Sequence, residues 1–316
     1  MTIPPAAAAV PVSLRPTGAA RRRYMYERII KSLLASSAIV TIGITVLIVL
    51  ALARPAIDFF RSVGIGKFFG GTDWAPLFEP ARYGVWPVVV GTMWVTVIAL
   101  VVAIPLGLGA AFYLAEYAGQ RTRKILKPVL EVLAGVPTVV FGFFALNLVT
   151  PQFVQKVWPV GEVGIKNALT AGLVTGIMIL PTVASLAEDA MSAVPQALRD
   201  GALALGSSRR EVCTKVVYPA ALSGIIAAFV LAGSRAVGET TIALLAAGSK
   251  PALSFNPGQE MQTMAGFIGA AGQGDLPTGS TGYKTIFAVG SFLFVITMLL
   301  NIVSTRIVRR FREVYE

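Results

Sequence analysis

The stretch VVYPAALSGIIAAFVLAGS, residues 216–234, contains no charged residue, and the six residues that follow it are RAVGET, residues 235–240. Nineteen mainly apolar residues form a helix of about 29 Å, close to the thickness of the hydrocarbon core of a bilayer. This stretch predicts a transmembrane helix. It also places one full positive and one full negative charge, Arg235 and Glu239, beside or within that span.

Five further uncharged runs of similar length surround this one. The 316-residue chain is 55% hydrophobic and only 14% charged, whereas a soluble domain carries about 25% charged residues. The runs therefore predict an all-α integral membrane protein with six transmembrane helices. In chain order they are residues 32–53, 83–115, 132–155, 167–187, 216–234 and 285–305.

The positive charges indicate how the chain is oriented. Of the 27 Lys and Arg residues, 18 lie in the N-terminal segment, in the loop between runs 2 and 3, in the loop between runs 4 and 5 (the 4–5 loop) and in the C-terminal segment. Eight lie on the other side of the membrane, and the remaining one is Arg235. Basic residues concentrate in cytoplasmic loops, so both termini are expected in the cytoplasm of a bacterial inner membrane. The net charge of +11 is then explained by these cytoplasmic loops, and membrane lipid rather than nucleic acid is the expected partner.

Several kinds of chemistry are excluded by missing residues. The chain has no histidine, a single cysteine (Cys213) and no GxxxxGK[ST] sequence. It therefore forms no intrachain disulfide, no HExxH zinc site and no Ser-His-Asp triad, and it does not bind ATP through a P-loop. No catalytic residue, metal ligand or bound cofactor is expected, which favours a transport subunit over an enzyme.

The 4–5 loop, residues 188–218, is too charged to span the membrane and too apolar for a free tail. Gly206 is a helix stop, and Ser208 with Glu211 three residues later forms a capping-box pattern. The loop is therefore expected to form two short helices that meet at a tight turn. Such a surface docks a partner, or alternatively lies on the lipid interface as an amphipathic helix.

Four residues of this loop and the residue that follows it resemble the EAA motif (EAA-x3-G-x9-I-x-L-P) of ABC importer permeases. The matching residues are Asp200, Gly201, Ala202, Gly206 and Pro219. Asp replaces Glu and Gly replaces the first Ala of the motif, and Val216 and Tyr218 replace its Ile and Leu, but the spacing is intact. The resemblance implies that the loop inserts into a cleft of a separate ATPase subunit, which binds MgATP and drives transport.

Other stretches resemble phosphate permeases. RAVGET is similar to their RAIGET signature, and GVPTVVFG, residues 135–142, to their GIPSVVYG stretch. Residues 261–264, 283–290 and 309–316 resemble the PstC branch rather than PstA. The resemblance implies a type I ABC importer permease (MetI-like) core with an extra N-terminal helix. It also implies inorganic phosphate as substrate, a heterodimer with a PstA-like permease subunit, a PstB-like ATPase dimer and a PstS-like phosphate-binding protein.

These patterns divide the chain into five segments. They are a disordered basic tail at 1–28, a first transmembrane helix at 29–54, an extracytoplasmic loop at 55–84, an ABC permease domain at 85–308 that contains the coupling loop 188–218, and a cytoplasmic tail at 309–316.

The charged pair at the end of the fifth run allows two interpretations. A lone charge at the bilayer centre costs about 2.5–3.5 kcal/mol on insertion scales, so Arg235 is expected between the midplane and the outer third, near a helix interface. Small residues at 224, 228, 232 and 236 predict that interface. Either Arg235 and Glu239 form an i,i+4 ion pair that fixes packing, or Arg235 binds a tetrahedral oxyanion in transit while Glu239 orients the guanidinium.

Two threonines complete the predicted substrate pathway. They are Thr138 and Thr240, within the two phosphate-permease stretches. The Thr138 hydroxyl either faces the pathway or bonds back to its own helix. Two functional alternatives remain at this point: an ABC permease for another oxyanion such as molybdate or sulfate, and a secondary transporter, which would leave the 4–5 loop unexplained.

Overall fold

Six long helices dominate the computed structural model, which describes residues 18–158, 163–274 and 276–310. Each is long and apolar enough to cross a membrane, which confirms the six-helix prediction. We number these spans in chain order. They are Arg22–Val63, Trp86–Tyr117, Thr138–Val157, Ala168–Ser192, Arg209–Val237 and Thr281–Val308.

The helices that build the spans and their connections follow one another with short breaks. The α-helices are α1 (Gly18–Val63), α2 (Ile65–Gly70), α3 (Trp86–Phe112), α4 (Gln120–Ala134), α5 (Thr138–Phe144), α6 (Gln155–Val157), α7 (Ala168–Ser192), α8 (Gln196–Ala204), α9 (Arg209–Glu211), α10 (Tyr218–Val237), α11 (Met264–Gly272) and α12 (Thr281–Arg310). Four π-helical segments extend or join them: Tyr113–Tyr117, Ala145–Val154, Val212–Val217 and Ala243–Ala247.

The chain divides into two compact units, residues 1–51 and 52–316, and α1 passes from one into the other. This helix is longer than its predicted span at 29–54, so both predicted boundaries fall inside it. Arg54 and Arg61 end the apolar run but not the helix, because backbone hydrogen bonding continues regardless of side-chain polarity. The predicted disordered tail at 1–28 is wrong for residues 18–28, which form the first turns of α1, and residues 309–310 of the predicted tail at 309–316 belong to α12. The remaining tail residues, 1–17 and 311–316, lie outside the described residues.

The segment between spans 1 and 2 contains the two short strands of the described chain, β1 (Trp74–Ala75) and β2 (Arg82–Tyr83). They pair antiparallel with Trp74 opposite Tyr83. Phe68 and Trp74 pack edge to face in a buried aromatic cluster. Gly71 and Gly84 let the chain pass over itself here, because a β-carbon at Gly84 would lie 2.3 Å from the carbonyl carbon of Gly71.

Spans 2 and 4 form the centre of the second unit. Gly172 of span 4 lies against Ile98 of span 2, and Gly176 lies against Val102, so the two helices run in the same direction. A β-carbon at Gly172 would lie 2.6 Å from the β-carbon of Ile98. Small residues therefore set the distance between these helices, as is typical of membrane bundles.

Span 5 packs through the predicted stripe of small residues. Ala228, Ala232 and Ala236 are each at most 2% exposed. A β-carbon at Gly224 would lie 2.5 Å from that of Ala190 in span 4. The stripe prediction is confirmed, and spans 4 and 5 approach closely along it.

Candidate functional site

Arg235 occupies the last turn of α10 and is exposed on the surface of the described chain. Its Nη1 donates a hydrogen bond to the Thr182 hydroxyl of span 4, with 3.3 Å between the two atoms. The unpaired carbonyls at a helix C-terminus favour a nearby cation. The position is therefore suited to a positive charge, while most of the guanidinium donors stay available to a ligand.

Glu239 does not pair with Arg235. The salt bridges found among the described residues do not include these two side chains. Instead, Glu239 Oε1 accepts hydrogen bonds from the backbone N–H groups of Thr241 at 3.0 Å and Ile242 at 3.1 Å. The i,i+4 ion pair, one of the two interpretations, does not form, because α10 ends at Val237 and Glu239 caps the next helical segment, residues 241–247. Glu239 consequently does not orient the guanidinium.

Arg235 contacts span 4 near the middle of that helix. Its partner Thr182 lies fourteen residues after Ala168, the first residue of span 4, and ten residues before Ser192, the last. On a helix these separations are about 21 Å and about 15 Å. The helix of span 5 begins at Arg209, well before its apolar run. The expected depth of Arg235, between the midplane and the outer third, stays a prediction.

Thr138 and Thr240 take different environments. Thr138 is the first residue of α5, where no carbonyl four residues earlier belongs to the same helix, so the expected back-bond does not form. Its half-buried hydroxyl has no hydrogen-bond partner within the described ranges. The Thr240 hydroxyl donates to the Gly238 carbonyl at 3.1 Å. No hydrogen bond in the described part of the chain joins either threonine to Arg235.

The 4–5 loop forms one of the two predicted short helices, α8, and the tight turn after it; the predicted second helix is the start of span 5, because α9 continues into that span without a break. Gly206 adopts φ 87°, a left-handed conformation that glycine allows without strain, and separates α8 from α9. The Ser208–Glu211 capping box is present, with both reciprocal bonds formed. Leu205, beside the turn, is 90% exposed. The turn therefore presents an apolar side chain that this chain does not cover.

The five motif residues lie along this loop and the helix that follows it. Asp200 and Gly201 are exposed on α8, and Ala202 is half-buried. Pro219 lies ten residues inside span 5 rather than at its end, which corrects the expected boundary. The π-helical segment Val212–Val217 ends two residues before Pro219. Its wider turn accommodates a residue that has no N–H to donate.

Arg199 anchors the coupling loop to the membrane bundle. It forms a salt bridge of 3.0 Å with Glu116 at the end of span 2, and the two side chains are 11% and 12% exposed. Its guanidinium also donates to the carbonyl of Met191, in the last turn of span 4, and to that of Val194, just after the span. One side chain therefore holds α8 against two spans. Sequence reasoning missed this contact, because 83 residues separate the partners.

A second network joins α4 to the same region. Glu188 is fully buried and accepts hydrogen bonds from Arg123, Lys127 and Ser192. Lys127 also bonds Asp189 at 2.6 Å. The hydrogen bonds to Asp189 and Glu188 raise the pKa of the Lys127 ammonium above its usual value. Together, α4 and α8 are pinned to the same end of span 4 by charges.

Comparisons with known proteins identify a family for most of this unit. Residues 103–313 match the family described as binding-protein-dependent transport system inner membrane component. The chain is 31% identical over 291 residues to a probable ABC transporter permease protein, YqgH, of Bacillus subtilis, covering 91% of this chain and 93% of that protein. It is 33% identical over 276 residues to the phosphate transport system permease protein PstC 1 of Mycobacterium tuberculosis, covering 77% and 81%.

Solved structures support the same architecture. A chain of a bacterial alginate ABC transporter superposes with a TM-score of 0.64 at 13% identity, covering 93% of this chain and 99% of that chain. A chain of the inward-facing MetNI methionine ABC transporter superposes with a TM-score of 0.54 at 17% identity, covering 75% and 100%. At these identities the similarity concerns the fold alone.

Proposed function

We propose that this chain is the permease subunit of an ATP-driven importer of inorganic phosphate. The premise is that the chain belongs to the family of binding-protein-dependent transport system inner membrane components. The observation that carries the phosphate assignment is the exposed Arg235 guanidinium. It bonds only the neutral Thr182 hydroxyl among the described residues and is not neutralised by Glu239.

Family membership itself establishes a coarser description. The chain is a multi-pass inner-membrane protein with a MetI-like permease core, and it is not an enzyme. ATP hydrolysis takes place on a separate ATPase subunit, and a substrate-binding protein delivers the substrate. These properties rule out the secondary transporter.

The specific partners are part of the proposal. A PstA-like permease subunit completes the heterodimer, a PstB-like dimer binds MgATP and hydrolyses it, and a PstS-like protein supplies phosphate from outside. The similarity to PstC 1 supports this set. The chain itself binds no cofactor in this scheme.

The coupling loop indicates which end of the molecule we assign to the cytoplasmic side. Its turn exposes Leu205 beside Gly206, so this end of the molecule is the surface that we assign to the ATPase cleft. The same end carries most of the basic residues. Both termini therefore lie in the cytoplasm, in agreement with the rule that basic loops stay inside.

In the pathway, Arg235 offers planar N–H donors that match the oxygens of a tetrahedral oxyanion. Thr182 holds one Nη in place. Thr138 supplies a free hydroxyl, whereas Glu239 and Thr240 shape the break after span 5 through their backbone bonds. A pathway must release its ion, and one arginine without further charges in hydrogen-bond contact satisfies that requirement.

The proposal is tested by uptake of labelled phosphate into proteoliposomes that contain the complete complex. ATP is enclosed inside, where the ATPase subunits face, and the binding protein is present with the labelled phosphate outside. We expect uptake that needs ATP and that excess unlabelled phosphate abolishes. Molybdate and sulfate are added in parallel as competitors. Uptake of either of these in place of phosphate would refute the phosphate assignment and leave the permease assignment intact.

A further inference from the structure

A row of polar side chains crosses spans 4, 5 and 6 at one level. Arg235 of span 5 contacts Thr182 of span 4. The residue before it, Ser234, donates its hydroxyl hydrogen to Asn301 Oδ1 of span 6, with 3.1 Å between the oxygens. Because Ser234 and Arg235 are adjacent in α10, the two contacts place Thr182 and Asn301 at the same level of this helix.

Asn301 has hydrogen-bonding capacity left over. Its amide oxygen accepts from Ser234, and its Nδ2 carries two N–H donors. No acceptor bonds Nδ2 among the residues described, and Asn301 is exposed on this chain. It lies in the uncharged run 285–305, at membrane depth. An amide there is costly in lipid, so this face meets water or another protein group.

Its polar neighbours on α12 lack this capacity. Thr297 and Thr305 stand one turn before and one turn after Asn301. The Thr297 hydroxyl donates to the Leu293 and Phe294 carbonyls of its own helix, and the Thr305 hydroxyl donates to the Asn301 carbonyl. Of these three side chains, Asn301 is therefore the one with hydrogens to offer to a ligand.

The charge around Asn301 favours an anion. The nearest charged residue along span 6 is Arg306, and the polar row itself contains Arg235. The carboxylate closest to Arg235 in sequence, Glu239, is occupied by backbone N–H groups. A tetrahedral oxyanion held by Arg235 on one side has further acceptor oxygens that point elsewhere.

We infer that Asn301 is a second oxyanion-binding residue of the translocation pathway, with its amide N–H groups as donors and Ser234 as the residue that positions the amide. This inference rests on the proposed phosphate function. A neutral amide adds selectivity for an acceptor-rich ligand without the tight hold of a second cation, which suits a site that must release its ion.

The test separates this role from simple helix packing by comparing two variants in the complete reconstituted complex. Asn301→Asp keeps an oxygen that accepts from Ser234, but it removes both donors and adds a negative charge. Ser234→Ala removes the interhelical bond and leaves the amide donors in place. The measurement is the maximal rate of labelled-phosphate uptake at saturating binding protein, normalised to assembled complex.

We expect Asn301→Asp to lower the rate by about tenfold or more, as loss of a charge-assisted bond does, and Ser234→Ala by about threefold at most. Asn301→Ala, which adds no charge, should also lose about tenfold and covers the case in which the aspartate variant does not assemble. Thr297→Val, on the same face, is the matched control and should transport at the wild-type rate.

Two outcomes would overturn the inference. One is uptake by Asn301→Asp and Asn301→Ala within about twofold of wild type. The other is an equal or greater loss in Ser234→Ala, which would mean that the Ser234–Asn301 bond matters for packing alone. Failure of the wild-type complex to import phosphate in the same assay identifies failure of the proposed function instead.

Discussion

Replacing Arg199 by methionine removes the side chain that holds the coupling loop to spans 2 and 4. The substitution leaves the Glu116 carboxylate, which is 12% exposed, without its cation. It also removes the donors to the Met191 and Val194 carbonyls. Methionine keeps a similar length of apolar side chain, so the loss is chiefly one of charge and hydrogen bonds.

The free-energy cost of this substitution follows from the burial of the Arg199–Glu116 ion pair. Breaking a buried ion pair by removing one partner costs about 3–5 kcal/mol, because a charge remains without compensation. A cavity of about 320 Å³ adjoins the pair and admits water to the orphaned groups, so we take the lower limit. About 3 kcal/mol corresponds to roughly a hundredfold shift towards a detached loop.

The assay measures phosphate transported per ATP hydrolysed by the reconstituted complex, together with thermal stability of the purified complex. Arg199→Met should reduce transport per ATP and lower the Tm. Arg209→Met is the matched control, since Arg209 lines the same cavity and forms no salt bridge among the described residues. Its Tm should equal that of the wild type, which is the readout for which this variant is the control.

The double variant Glu116→Gln with Arg199→Met decides whether the ion pair is the cause. Neutral glutamine removes the unpaired charge, so the double variant should recover part of the stability that Arg199→Met loses, with a coupling energy of at least about 1 kcal/mol. Additive effects, or wild-type coupling in Arg199→Met, would refute the anchoring argument.

Three further changes test the assignments. Arg235→Gln should abolish phosphate uptake while complex assembly and ATPase activity persist at least in part; measurable uptake would remove Arg235 from the pathway. Gly206→Arg should detach or uncouple the ATPase, because φ 87° at this turn strains any side chain, as co-purification and transport assays would report. Lys127→Met should lower the Tm of the complex by a constant amount from about pH 6 to pH 9. Asp189 and Glu188 raise the Lys127 pKa, so its contribution is present below the usual lysine pKa and is lost only as pH rises through the raised value.

The sequence was sufficient for features that depend on local pattern. Six apolar runs predict six spans because helix length must match bilayer thickness, and the Gly206 and Ser208 pattern predicts the turn of the coupling loop because capping involves neighbouring residues. The stripe of small residues at 224, 228, 232 and 236 is likewise a local pattern along one helix. All of these are confirmed by the structure.

The charged contacts could not be predicted in the same way. Arg235 and Glu239 have the spacing of an ion pair, but the helix stops between them, and nothing in the charge pattern reveals that break. Arg199 finds Glu116 across 83 residues, which spacing along one helix cannot indicate. Arg235 likewise finds Thr182 across 53 residues. The partners of these two arginines are selected by tertiary packing, whereas Glu239 caps backbone N–H groups two and three residues further along the chain.

Span 5 joins the coupling loop and Arg235 through one helix. The helical path runs from Arg209 beside the turn to Val237, so Arg235 lies 26 residues, or about 39 Å, from the first residue of α9. Close contact of Gly224 with Ala190 ties this helix to span 4, which also carries Thr182. If the ATPase moves the loop, spans 4 and 5 must therefore move together at Arg235. Asn301 belongs to span 6, outside this pair, and its bond to Ser234 is the contact that such a movement would strain.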